Sequence, residues 1–198
     1  MGIRKRAVRG CTALVSSVVI ALPMVAAVAP AKAADAAAQP GGQVVISEIA
    51  NGGPGGYHDN FIEVANWGDQ PVDVTGWELF RCTGTGSVAS APQNTLEGTI
   101  GAGERWVFAR ESTQSTIADA DVKQRYKTSL ANESYGALLR DSSGENVDAV
   151  AVQFPGTANQ ACGEGTVLAN TTDSAAGESF QRTRDTDDNA ADFIRAPR

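Results

Sequence analysis

At 198 residues the chain fits one domain with a dispensable end. Its formal net charge of −7 hides an asymmetry: residues 1–33 hold five of the 16 basic residues and none of the 23 acidic ones, so the remainder stands at 11 minus 23, or −12. That balance disfavours unspecific binding to nucleic acid or anionic lipid, and it favours solubility, cations or basic partners.

The N-terminus has the pattern of an export signal. Arg4, Lys5, Arg6 and Arg9 form a basic start, Thr12 to Val28 is almost entirely apolar or small, and Ala31-Lys32-Ala33 is a small-x-small cleavage pattern. We read cleavage after Ala33, giving a signal peptide over 1–33, a flexible leader over 34–42 and a domain over 43–198. A retained membrane anchor fits less well, because an apolar run of about 17 residues broken by Pro23 is at the short edge for spanning. No membrane span is expected after cleavage, and the product is expected to be extracellular.

Order should begin near Gln43, with a first strand in Val44-Val45-Ile46-Ser47-Glu48-Ile49. The run Asn51-Gly52-Gly53-Pro54-Gly55-Gly56 leaves little to pack or pair and reads as a loop. Phe61-Ile62-Glu63-Val64 and Val72-Asp73-Val74 alternate apolar with acidic, the period of a half-buried strand, and Asn66, Gly68, Asp69 and Pro71 supply the turn between them. Gly76 precedes a third strand around Trp77 and Leu79, and Arg105-Trp106-Val107-Phe108-Ala109 is a further one. Between Ser115 and Lys127 the pattern predicts a short helix, with Ile117, Val122 and Tyr126 on one face and Asp119 and Asp121 ahead of Lys123, Arg125 and Lys127. Tyr135–Arg140 and Val147–Val152 flank Asp141-Ser142-Ser143-Gly144 as a hairpin. About seven short strands with near-regular turns predict an all-β, immunoglobulin-like antiparallel β-sandwich closing over Trp77 and Trp106.

Two cysteines follow the signal, Cys82 and Cys162, and in an oxidising compartment they should pair; separate thiols or an intermolecular bridge are the alternatives. Asp185, Asp187 and Asn189 place oxygens on alternate residues like the start of a calcium loop, but the sixth position is Ala190 and the twelfth Ala196, so turn hydrogen bonding is the plainer reading. Tyr57, His58 and Asp59 in the glycine-rich loop, with Trp67 exposed in a turn, form the candidate binding loop. His58 beside Asp59 invites a catalytic reading, yet no nucleophile is evident. Glu48 and Glu63 resemble paired carboxylates, for which a solvated strand face is the ordinary explanation. Lys123, Arg125 and Lys127 would line up only on a strand.

Several blocks together resemble the lamin tail domain family. They are Ile46–Ile49, FIEVAN at Phe61–Asn66, VDVTGWEL at Val72–Leu79, IGAGE at Ile100–Glu104, LANE at Leu130–Glu133, LLRDSSGENVDAV at Leu138–Val150, ESFQR at Glu178–Arg182 and the acidic end with Phe193. The resemblance implies an immunoglobulin-like sandwich and a module that binds partners without catalysing. The expectation is therefore a secreted, monomeric, non-enzymatic module with no cofactor, engaging a protein or cell-surface partner through loops. The alternative is a small secreted hydrolase of nuclease or phosphoesterase type, or a metal-binding accessory to one.

Overall fold

The computed structural model describes residues 43–153, 162–170 and 177–198, so the expected signal peptide and leader of residues 1–42 lie outside it. The alternating run at Phe61 becomes β2 (Phe61–Asn66), at the centre of a six-stranded sheet. β1 (Val44–Ala50) lies on one side of β2 and β7 (Arg105–Arg110) on the other, each antiparallel to it. β12 (Glu178–Arg182) and β13 (Phe193–Pro197) extend the sheet beyond β1, and β8 (Gln124–Tyr126) lies parallel to β7 at the far edge. The second sheet has five strands in the order β11 (Leu168–Ala169), β10 (Asn146–Gln153), β9 (Tyr135–Arg140), β4 (Glu78–Cys82) and β5 (Asn94–Thr95). A small ribbon pairs β3 (Val72–Asp73) with β6 (Thr99–Ile100).

The inner faces of the two sheets supply one apolar core. Ile46, Ile49, Ile62, Val64 and Phe108 from the first meet Leu79, Ala137, Leu139 and Val150 from the second. β1 breaks strict alternation, since both Ile46 and Ile49 are fully buried in this core although three positions separate them. The register explains it: Ile46 faces Val64 and Glu48 faces Glu63, so Ser47 is one residue too many. This bulge returns Ile49 to the inner face. Trp106 lies in the core, whereas Trp77 is half-buried and packs at its margin. Trp67 is half-buried too, not exposed as its turn position suggests.

The segment 115–127 is a second departure from expectation. In place of a helix it makes one 3-10 turn at Asp119–Asp121 and then β8. Pairing with β7 decides the outcome: the Lys123 amide donates to the Val107 carbonyl at 2.8 Å and the Glu111 amide to the Tyr126 carbonyl at 2.7 Å. Tyr126, fully buried, donates its hydroxyl to Asn60 Oδ1 at 2.7 Å. Tertiary pairing of this kind overrides a weak local helical preference.

The hairpin of β9 and β10 turns through Asp141–Gly144, where Asp141 Oδ1 accepts from the Ser143 and Glu145 amides and Gly144 takes a φ of 88°. Cys82 on β4 and Cys162 form a disulfide with their Cα atoms 6.1 Å apart, beside Phe80, Leu138 and Ala149 on the outer face of the five-stranded sheet. Among the described residues no helix is long and apolar enough to cross a membrane.

Candidate functional site

The loop that leads into β2 is built on one buried carboxylate. Gly53 and Gly56 exchange backbone hydrogen bonds at 3.0 and 2.8 Å, and a 3-10 turn over Tyr57–Asp59 follows. Asp59, fully buried, accepts from the Gly55 amide at 2.6 Å, the Thr116 amide at 2.6 Å, the Thr116 hydroxyl at 2.6 Å and the Ser115 hydroxyl at 3.0 Å. Burial pushes this carboxyl upward, but the donors from Thr116, Gly55 and Ser115 outweigh it and hold the group below the usual carboxylate range. Glycine is required at position 55, since a Cβ there would lie 2.9 Å from both Asp59 oxygens. The Asn60 amide closes the turn by donating to the Tyr57 carbonyl at 2.5 Å.

This frame leaves Tyr57 54% exposed. Its ring centroid lies 4.0 Å from that of His58, and the Arg110 guanidinium carbon lies 4.8 Å from the Tyr57 centroid. Arg110 Nη1 approaches His58 Nδ1 at 3.3 Å, and Ser112 Oγ lies 2.8 Å from the same nitrogen. Arginine can only donate, so Nδ1 accepts and a neutral His58 carries its proton on Nε2. Arg110 has no carboxylate within salt-bridge distance among the described residues, and its Nε is buried with no acceptor. Ser112 beside His58 has the start of a nucleophile and base pair, but Asp59 faces Thr116 and Gly55 and does not orient the imidazole.

The structure divides the candidate binding loop. Tyr57, His58 and Asp59 precede β2 and Trp67 follows it, so the strand's six residues place them at opposite ends of the sandwich, roughly 20 Å apart. Asp59 is fully buried and anchors the loop through Gly55, Ser115 and Thr116.

The three residues of the calcium reading, Asp185, Asp187 and Asn189, stand in different settings, with Asp187 exposed at a φ of 57°. Asn189 is fully buried, its Oδ1 accepting from the Ala151 amide at 3.0 Å and the Glu164 amide at 3.2 Å while its side-chain amide donates to the Ala149 carbonyl at 2.9 Å. Asp185 holds Arg182 at 2.7 Å and accepts from Gln43 at 2.8 Å. The Asn189 and Asp185 oxygens are thus engaged by protein donors.

Around Arg182 the chain makes a buried charge cluster that no motif announced. The side chain is 0% exposed; Nη2 meets Asp148 at 2.6 Å, Nη1 meets Asp185 at 2.7 Å and Asp192 at 3.5 Å, and Glu164 lies at 3.7 Å. Nε donates to the Ile46 carbonyl at 3.0 Å, and the guanidinium sits 4.6 Å from the Phe193 ring centroid. Burial pushes Asp148 well above the usual range and Glu164 upward as well, with Arg182 opposing in both cases. One oxygen from each of Asp148, Glu164 and Asp185 lies within 4.8 Å of the others, but the guanidinium already occupies the set.

Glu48 and Glu63 are cross-strand partners and not a solvated face. Glu63 is buried, accepting from Ser47 Oγ at 2.6 Å and Arg105 at 2.9 Å. Glu48 accepts from Ser179 Oγ at 2.5 Å, and burial raises its carboxyl against that donor. Of the basic cluster, Lys123 lies 3.9 Å over Trp106 and Arg125 pairs with Asp119 at 2.6 Å.

No curated protein matches this chain. Residues 37–153 match the family model described as Lamin Tail Domain, a span that runs from before β1 to the end of β10 and leaves β11, β12 and β13 beyond it. With more than half of the sequence inside that match and two mainly antiparallel sheets packed as a sandwich, the chain belongs to the lamin tail domain family.

Proposed function

We propose that the protein acts outside the cell as a binding module, without catalysis of its own, and engages a protein or cell-surface partner through the end of the sandwich that carries Tyr57. The observation that carries this reading is the contrast within one loop. Asp59 is locked by four hydrogen bonds, while the neighbouring Tyr57 ring stands 54% exposed beside His58 and Arg110. A large aromatic held on rigid backbone loses little entropy on binding, and tyrosine and arginine are the side chains that most often dominate interfaces. Export is supported by the basic and apolar start of the chain and by the disulfide.

The test is retention at the producing cell's surface. Tyr57→Ala should release the protein into the medium without changing its melting temperature. Equal retention of wild type and Tyr57→Ala sinks the reading.

The Ser112–His58 contact favours a second reading, a small hydrolase using Ser112 Oγ with His58 as base. Hydrolysis of ester or phosphoester substrates that disappears in both His58→Ala and Ser112→Ala would replace the binding module with that activity. Absence of turnover in the wild type removes it.

A further inference from the structure

Resting on that reading of the Tyr57 end, we propose that the partner presents an acidic peptide segment, with a carboxylate on Arg110 and an apolar side chain, two positions along an extended chain, against the open face of Tyr57. The first observation is the missing counter-charge. Arg110 is half-buried, and among the described residues its Nη1 reaches only neutral acceptors, His58 Nδ1 at 3.3 Å and the Tyr57 carbonyl at 3.4 Å, while its Nε is buried without an acceptor. Arg81, Arg140 and Arg198 also lack a carboxylate partner, but among the described arginines only Arg110 has a buried nitrogen with no acceptor. A guanidinium withdrawn from water with no anion is incomplete, and a carboxylate matches its planar fork.

The second observation is which face of Tyr57 is open. The 3.3 Å approach of Arg110 to His58 is too short for the two groups to sit on opposite faces of a ring whose centroid is 4.8 Å from one and 4.0 Å from the other. Both therefore flank one side, and neither group covers the other. In an extended peptide, side chains at i and i+2 point the same way about 7 Å apart. That is comparable to the distance from the guanidinium, past the ring, to an apolar group in contact with the far face. The −12 charge of residues 34–198 opposes a distant acidic partner, but screening limits that repulsion to about 8 Å at physiological ionic strength, so the short contact with Arg110 decides.

The experiment is a selection of random seven-residue linear peptides on the chain expressed with its own N-terminal segment. The expected outcome is enrichment of Asp or Glu two positions from an aliphatic or aromatic residue. A selected peptide should bind Arg110→Gln and Tyr57→Ala at least about tenfold more weakly, and Ile194→Ala, an exposed apolar side chain on β13, as tightly as wild type. Changing the peptide's acid to its amide should cost as much on the wild type and nothing further on Arg110→Gln. Enrichment of basic or uncharged peptides overturns the proposal, as does an amide effect that persists on Arg110→Gln, or oligouronate binding that the same two variants abolish. Should Arg110→Gln fail to fold, the exposed Tyr57→Ala carries the test. If no acidic peptide is enriched while Tyr57→Ala still loses surface retention, the acidic partner is refuted and the loop reading stands. If retention is also unaffected, both fall.

Discussion

Replacing Arg182 with methionine should be among the most damaging single changes in the domain. Its guanidinium bonds Asp148 at 2.6 Å, Asp185 at 2.7 Å and the Ile46 carbonyl at 3.0 Å, and so fastens β12 to both β1 and β10. Methionine fills much of the volume but leaves Asp148, 3% exposed, with no cation beside it. Breaking a buried pair by removing one partner costs about 3–5 kcal/mol. For a domain of this size, where 1 kcal/mol moves the melting temperature by about 2–4 °C, the midpoint should fall by roughly 6–20 °C in a thermal melt followed by circular dichroism. The double variant Arg182→Met/Asp148→Leu should recover only part of that loss, because Asp148 no longer stays inside without its cation while Asp185 and the buried Asp192 still lose theirs. A fall of less than about 2 °C in the single variant would refute the reasoning. So would a double variant whose loss equals the sum of the two singles.

Asp59→Asn should cost about 2–4 kcal/mol by denaturant melting, because the amide turns its own donors toward the amides and hydroxyls that Asp59 now accepts from. Replacing both Cys82 and Cys162 with alanine should lower stability by roughly 4 kcal/mol on the chain-entropy account, measured against the oxidised wild type; a loss near zero would show the bridge to be idle. Because Asp148 and Glu164 have raised folded-state affinities for protons, their contribution is fully present below the ordinary carboxylate range and is lost as pH rises through their elevated values. The melting temperature should therefore decline as pH rises through those elevated values, and Glu164→Gln should flatten that decline, whereas an unchanged slope in the variant contradicts it. Asp59 has the opposite sign: its stabilisation is present above the ordinary carboxylate range and is lost as pH falls through its depressed value, so Asp59→Asn should show its smallest deficit in acid.

The architecture was legible wherever one face of a strand is apolar. The alternation read in Phe61–Val64 and the turn chemistry before Val147–Val152 both mark strands of the two sheets, although β2 is buried along its whole length. What the residues did not reveal depends on long-range register. The bulge at Ser47, which brings Ile46 and Ile49 to one face, is set by pairing with Val64 and Glu63. The 115–127 segment has an equivocal pattern, and its strand exists because β7 offers an edge. Arg182 carries a signal that parity could have exposed: in ESFQR it shares a face with Phe180, so an inward Phe180 implies an inward arginine and a need for carboxylates. Arg110 follows the same rule, two and four residues beyond Phe108 and Trp106 on β7. The Asp59 hub could not be read from neighbours in sequence, since its donors Ser115 and Thr116 come from beyond β7.

The most direct measurement places a photo-crosslinking phenylalanine analogue at position 57 in the chain expressed by its producing cells, with position 194 on β13 as the comparison. The account predicts a discrete crosslinked species from position 57 and none from 194. Crosslinking from 194 with none from 57 would contradict it.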